Sequence, residues 1–140
     1  MNWDGAVEHS LANTISNREA KEELGRRIAA NVEDGQVIGV GSGSTAYLAI
    51  PTIAERVRRE GLRVRVVCTS PEVTLACIAN DLHVGSLLQF RPDWVFDGAD
   101  EVDPERNLIK GRGGAMFMEK ILIDASPRTF ILVDSSKLVS

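Results

Sequence analysis

The chain is poor in the residues that most often carry metal or redox chemistry. Its 140 residues include only two histidines, His9 and His83, and two cysteines, Cys68 and Cys77. The histidines lie far apart and far from the motifs described below, which argues against a histidine base and against a zinc-type cluster. The cysteines have neither metal-binding nor redox spacing, so we interpret them as buried, inert thiols.

An excess of positive charge and long apolar runs are also lacking. The net charge of -4 gives no electrostatic reason to expect nucleic acid or an anionic membrane as a partner. No apolar segment approaches membrane-spanning length, and the N-terminus shows no signal-peptide pattern. We therefore expect a cytoplasmic protein that holds any anionic ligand through local groups.

What the sequence does contain is an alternation of strand and helix patterns. After an N-terminal arm over residues 1–16, Ser16 and Glu19 have capping-box spacing ahead of an amphipathic helix that Gly35 closes. Pro51 is expected to kink or restart the second helix. Strands are predicted at 36–40, 64–68, 94–96 and 129–133, and later helices at 44–61, 71–80 and 115–124. The pattern predicts an α/β domain over residues 17–140, a Rossmann-like parallel sheet with helices on both faces.

A glycine-rich segment, residues 41–45, joins the first strand to the second helix. Its glycines allow close backbone approach, and the helix N-terminus and the hydroxyl groups offer donors to an anion. The segment therefore predicts phosphate binding, although a simple turn capped by Ser44 remains open. Gly41, Gly43 and Ala46 also match a dinucleotide fingerprint. That alternative requires an acid after the second strand, where Cys68-Thr69-Ser70 stands instead.

Ionisable side chains follow in three further segments. Asp97-Gly98-Ala99-Asp100 comes after the third strand, Lys110-Gly111-Arg112-Gly113-Gly114 forms a later loop, and Glu119 lies early in the next helix. Each charge alone has an ordinary explanation as a solvated or dipole-complementing group. Together they supply a carboxylate base and a cation for an enediolate, which is what aldose–ketose isomerisation needs. Such chemistry requires neither a metal nor an organic cofactor.

Four ordered motifs make the chain similar to a known family. The segments GVGSGST, DGADEVD, LIKGRGGAMFMEKI and ILVDSSKLV, between Gly39 and Val139, resemble those of the ribose-5-phosphate isomerase A family. The resemblance implies interconversion of D-ribose 5-phosphate and D-ribulose 5-phosphate in the pentose phosphate pathway. It implies that Glu119 is the general base and that Lys110 stabilises the enediolate. Asp97 and Asp100 would bind substrate hydroxyls and assist proton movements.

The resemblance also implies the substrate contacts and the wider organisation. It places Lys21 near the phosphate, and Arg112 departs from a glycine found in many members. A homo-oligomer is implied, as is a small C-terminal α+β domain that we expect this chain to lack. The competing hypotheses are a non-catalytic sugar-phosphate-binding domain and, less favoured, a nicotinamide-dependent oxidoreductase. The implied contacts with the phosphopentose are Ser42, Gly43, Ser44, Thr45, Gly98, Ala99, Gly111, Arg112, Gly113 and Lys137.

Overall fold

The structure is a computed structural model that describes residues 15–140. The arm predicted over residues 1–16 lies outside the described residues except for its last two, and so does His9. The helices are α1 (Arg18–Ala29), α2 (Gly43–Glu60), α3 (Pro71–Ala79) and α4 (Met116–Asp124). The strands are β1 (Val37–Val40), β2 (Arg65–Cys68), β3 (His83–Gly85), β4 (Trp94–Asp97), β5 (Glu101–Val102), β6 (Leu108–Ile109) and β7 (Thr129–Ile131).

Five strands form one sheet in the order β3-β2-β1-β4-β7. Every neighbouring pair in it is parallel. The chain moves from β1 outward to β2 and β3, and then returns to place β4 on the other side of β1. The order of the strands thus reverses between β1 and β4, and in open parallel sheets ligands bind in the crevice at such a point.

Side chains alternate between the two faces of the sheet, and each face packs on helices. Ile38, Val66 and Phe96 belong to the larger core, together with buried residues of α1, α2 and α3. Val67 and Val95, which point to the opposite face, pack with Leu122 of α4. The predicted parallel α/β sheet with helices on both faces is therefore confirmed.

Two predictions about helix ends are wrong. Ser16 does not cap α1, because the N-cap is Asn17 in a left-handed conformation with φ 53°. Gly35 does not close α1 either. The helix ends at Ala29, and Gly35 lies in a later turn where its N–H donates to the Arg63 carbonyl at 2.8 Å.

Pro51 does not restart α2, since one helix runs through it from Gly43 to Glu60. The proline ring is on the exposed side of that helix, while its neighbours Ala49, Ile50 and Ile53 are buried in the core. Burial of that apolar face therefore outweighs the backbone hydrogen bond that the proline cannot donate. Proline is readily accommodated in the first turn of a helix, and α3 begins in this way, with Pro71 directly after the N-cap Ser70, as predicted.

Two short structures were not predicted. Edge strand β3 has only three residues, and β5 and β6 form a separate antiparallel pair of two residues each. Such short segments carry too few residues for a period-2 pattern. Within residues 15–140 no helix is long and apolar enough to cross a bilayer.

Candidate active site

The predicted site residues gather at the carboxyl edge of the sheet. The segments that follow β1, β4 and β7 lie side by side there, because these three strands are neighbours. They enclose a cavity of about 110 Å³ together with the loop after β6 and the start of α4. The cavity is lined by Lys21, Ser42, Gly43, Ser44, Thr45, Asp97, Gly98, Ala99, Asp100, Lys110, Gly111, Arg112, Glu119 and Lys137.

Three charged side chains form a buried cluster at the bottom of this cavity. The Lys110 ammonium lies 2.6 Å from Asp97 Oδ2 and also bonds to Glu119 Oε2. The exposed fractions of the three side chains are only 7% for Lys110, 1% for Asp97 and 5% for Glu119. The alternation of side chains along β4 explains why Asp97 and Glu119 lie close together. Asp97 points to the same face of the sheet as Val95, and α4, which carries Glu119, covers that face.

Burial and charge shift the pKa values within this cluster. Burial raises the pKa of Asp97, against the opposing effect of the Lys110 hydrogen bond and charge, and the Glu119 charge adds to the rise. Burial lowers the pKa of Lys110, but its hydrogen bonds and charge interactions with the two carboxylates prevail and leave the pKa raised. The lysine is therefore held as an ammonium between two carboxyl groups, and burial raises the pKa of one of them, Asp97.

Asp97 is fixed by the backbone as well as by Lys110. Its Oδ1 accepts hydrogen bonds from the N–H groups of Ser42 at 3.0 Å and Gly98 at 2.8 Å. The chain at Gly41 approaches this carboxylate so closely that an added Cβ would lie 2.2 Å from Asp97 Oδ1. Only glycine fits at position 41, and the loop after β1 is thereby tied to the end of β4.

The loop after β1 presents donors to the cavity. Ser42, not Ser44, is the N-cap of α2, and no described side chain caps the N–H groups of the first turn, residues 43–45. The Lys21 ammonium donates to Ser44 Oγ at 3.0 Å and brings a positive charge from α1 to the same place. The Ser42 hydroxyl is braced by Thr69 Oγ1 at 2.6 Å. This geometry suits an anion at the mouth of the cavity.

The lysine loop lies across the cavity from α2. Gly111 has φ 87°, and a Cβ there would lie 2.3 Å from Met116 Cβ, so the loop needs glycine to reach α4. The Arg112 N–H donates to Asp100 Oδ2 at 3.3 Å. Gly113 was predicted to contact substrate but does not line the cavity. Its position in the short 3-10 turn is exposed, and nothing lies within 4 Å of where its Cβ would be.

Sequence reasoning missed the contacts that hold Lys137 in place. Asp134 accepts from the Ser136 N–H at 2.9 Å and from Asn17 Nδ2 at 3.1 Å, so the N-terminus of α1 is joined to the lysine segment. Lys21, which the resemblance placed near the phosphate, is a buried lysine on the same face of α1 as Gly25 and Ile28. Burial lowers its pKa, as does the nearby Lys137 charge, although Asp134 acts in the opposite direction. In residues 15–140 no group of three or more His, Cys, Asp or Glu could hold a metal ion.

Comparisons with known proteins identify relatives of this chain. Residues 65–140 match the sequence model of the family described as ribose 5-phosphate isomerase A (phosphoriboisomerase A). The chain is 44% identical over 108 residues to ribose-5-phosphate isomerase A of Archaeoglobus fulgidus. This alignment covers 77% of this chain and 48% of that protein. The chain spans about half the length of the curated relatives it matches.

Solved structures give the same result in three dimensions. Ribose 5-phosphate isomerase A from Methanocaldococcus jannaschii superposes with a TM-score of 0.86 at 38% identity, over 89% of this chain and 56% of that one. A D-ribose-5-phosphate isomerase in complex with phospho-erythronic acid superposes with a TM-score of 0.84 at 39% identity, also over 89% and 56%.

Proposed function

This chain belongs to the ribose 5-phosphate isomerase A family, and on that premise we propose that it interconverts D-ribose 5-phosphate and D-ribulose 5-phosphate. The observation that carries the proposal is the buried cluster in which one ammonium, that of Lys110, lies between the carboxylates of Asp97 and Glu119. A base and a cation held side by side among buried side chains are what an enediolate reaction needs.

In the proposed reaction, Glu119 moves a proton between two neighbouring carbons. Its carboxylate takes the proton from C2 of the open-chain aldose, and the C–H electrons form the C1–C2 double bond. The carbonyl electrons move onto O1, where the Lys110 ammonium stabilises the negative charge. Glu119 then returns the proton to C1, while the hydroxyl proton on O2 is transferred to O1 and leaves a ketone at C2. The steps balance without an oxidant, a metal or an organic cofactor.

Asp97 and Asp100 have a supporting role in this proposal. Ring opening requires that the proton on the anomeric hydroxyl be removed and that the ring oxygen receive one. Because burial raises the pKa of Asp97, this carboxyl group takes up a proton more readily than an ordinary aspartate does. Asp100 lies at the rim of the same cavity, where its carboxylate can accept hydrogen bonds from sugar hydroxyls.

The phosphate of the substrate is proposed to lie at the first turn of α2. The backbone N–H groups there and the hydroxyls of Ser42, Ser44 and Thr45 supply donors, while Lys21 and Lys137 supply positive charge. Because the net charge of the chain is -4, this local concentration of donors must select the anion. Unphosphorylated ribose should therefore bind much more weakly than ribose 5-phosphate.

The alternatives lack a comparable observation. A domain that only binds sugar phosphate needs no buried lysine between two carboxyl groups, and burying such groups costs free energy. A nicotinamide-dependent enzyme would place an acid after β2, and the residue there is Thr69, whose hydroxyl is engaged with Ser42.

The deciding experiment incubates the purified chain with ribose 5-phosphate in deuterium oxide and follows both sugars by proton NMR. Formation of ribulose 5-phosphate, with deuterium gained at the carbon that receives the proton, is the expected result. Binding without turnover and without deuterium gain would instead identify a sugar-phosphate-binding domain. If ribose 5-phosphate does not bind at all, both readings are wrong. Chelation of metals by EDTA should leave the rate unchanged.

The wider organisation is also part of the proposal. We expect residues 17–140 to form the sugar-phosphate-binding domain of a cytoplasmic enzyme that associates with copies of itself. Light scattering on the purified chain tests the association, and a single monomeric species would contradict it.

A further inference from the structure

The only two cysteines of the chain lie against each other although their spacing gave no reason to pair them. Cys68 ends β2 and Cys77 lies on α3, and their sulfur atoms are 3.7 Å apart. Both are free thiols; Cys77 is fully buried and Cys68 is partly exposed. The contact arises because α3 packs back on the strand that precedes it.

We propose that Cys68 and Cys77 form an oxidisable pair, a modification site at which hydrogen peroxide produces a disulfide that disturbs the loop after β1. The proposal goes beyond the isomerase activity and does not depend on it, because it concerns the thiols and the structure of the loop.

The chemistry assigns a different part to each sulfur. The hydrogen bond between the two sulfur atoms lowers the pKa of the Cys68 thiol in spite of its burial, and the same hydrogen bond, together with burial, raises the pKa of Cys77. The partly exposed Cys68 thiolate attacks one peroxide oxygen, the O–O bond breaks, and a sulfenic acid and hydroxide form. Cys77 sulfur then attacks the Cys68 sulfur and expels its oxygen, and the Cys77 proton is lost. Two thiols and one peroxide thus give one disulfide and two molecules of water.

Disulfide formation would be transmitted to the cavity through Thr69. The sulfur atoms must approach from 3.7 Å to about 2.05 Å, which draws the end of β2 and α3 together. Thr69 directly follows Cys68, donates its N–H to the Val40 carbonyl at 3.2 Å and bonds to Ser42 Oγ at 2.6 Å. Displacement of the Cys68 backbone should therefore move Ser42.

Intact-mass measurement on the denatured, unreduced protein tests the disulfide. After peroxide treatment and alkylation, the expected product has lost two hydrogens, takes up no alkylating agent and recovers both thiols on reduction. Cys77→Ala and Cys68→Ser should each fail to give this product, and the use of two variants guards against one that does not fold. Added oxygen on Cys68 without a sulfur–sulfur bond, a disulfide between two chains, or two unreacted thiols would each overturn the proposal.

Amide resonances test the link to the loop. In spectra of the reduced and oxidised protein, the Ser42 amide should shift on oxidation and return on reduction, whereas that of Glu105, exposed between β5 and β6, should not move. Peroxide should leave the Ser42 amide of Cys68→Ser unchanged, because that variant lacks the thiol that peroxide attacks. A fully oxidised protein with an unmoved Ser42 amide would refute the coupling.

Discussion

Replacement of Glu119 by glutamine separates the proposed base from the structural part of the same side chain. Glutamine has nearly the same size and retains an oxygen that can accept from the Lys110 ammonium, but its amide cannot take up a proton. Lys110 also keeps its 2.6 Å contact with Asp97, so no buried charge is left without a partner. The variant should therefore fold.

The magnitudes expected for folding and for catalysis differ widely. Because the Lys110 ammonium stays charged, the hydrogen bond before and after the change involves a charged group and contributes about 1.5–3 kcal/mol, so the free energy of unfolding should fall by about 1 kcal/mol at most. For a chain of this size that corresponds to a decrease in the unfolding temperature of about 4 °C. Loss of a general base lowers the rate by about 100-fold to 10,000-fold, or about 3–5 kcal/mol of transition-state stabilisation.

The assay compares turnover, binding and stability of Glu119→Gln with those of the parent chain. Turnover of ribose 5-phosphate should fall at least about 100-fold, while calorimetry should show that the sugar phosphate still binds. Glu101→Gln is the matched control, since Glu101 is exposed on β5 and should change none of the three quantities. The assignment of the base would be refuted if the variant keeps its turnover. It would also be refuted if the variant binds substrate more weakly but converts bound substrate at the parent rate.

Four further substitutions test the rest of the site. Lys110→Met should lower the free energy of unfolding at neutral pH by about 3–5 kcal/mol, because it leaves two buried carboxylates without a cation. The pKa of Asp97, already raised by burial, should rise further, so urea titrations should show the loss shrinking in acid and growing as the pH rises through that pKa. Gly41→Ala should cost about 1–3 kcal/mol in the same titrations, because its Cβ would overlap the fixed Asp97 carboxylate. Lys137→Met should weaken ribose 5-phosphate about 10-fold or more in calorimetry and leave ribose unaffected. Arg112→Gly should change the Michaelis constant or the turnover number.

Matched variants make these outcomes specific. Gly98→Ala should be tolerated, because a Cβ there would have no neighbour closer than 3.9 Å. Lys120→Met removes a lysine from the exposed face of α4 and should not alter affinity. A pH-independent loss for the Lys110 variant would contradict the electrostatic argument, and equal weakening of both sugars by Lys137→Met would contradict a phosphate contact. Unchanged kinetics of Arg112→Gly would show that the Arg112 side chain does not act on the substrate.

The sequence by itself determined the elements whose cause is local. Strands β1 and β4 are short apolar runs that end at glycine-rich or acidic turns, and α3 begins with the Ser70–Pro71 pair that favours a helix start. The alternation of strand and helix required a parallel sheet, and a parallel sheet brings the ends of its strands to one edge. Thirteen of the fourteen site residues expected from the motifs and from the family resemblance line one cavity, with Gly113 as the exception.

Only the tertiary structure decided which of these residues touch. The sharing of Lys110 by Asp97 and Glu119, the bond of Asn17 to Asp134, and the contact of Cys68 with Cys77 depend on strand order and helix packing. The same is true of the passage of α2 through Pro51, where burial of one face outweighed a local preference. Local sequence patterns determine the conformation of only a few neighbouring residues. Contacts between distant segments are set by the free energy of packing the whole core, which no single stretch of sequence contains.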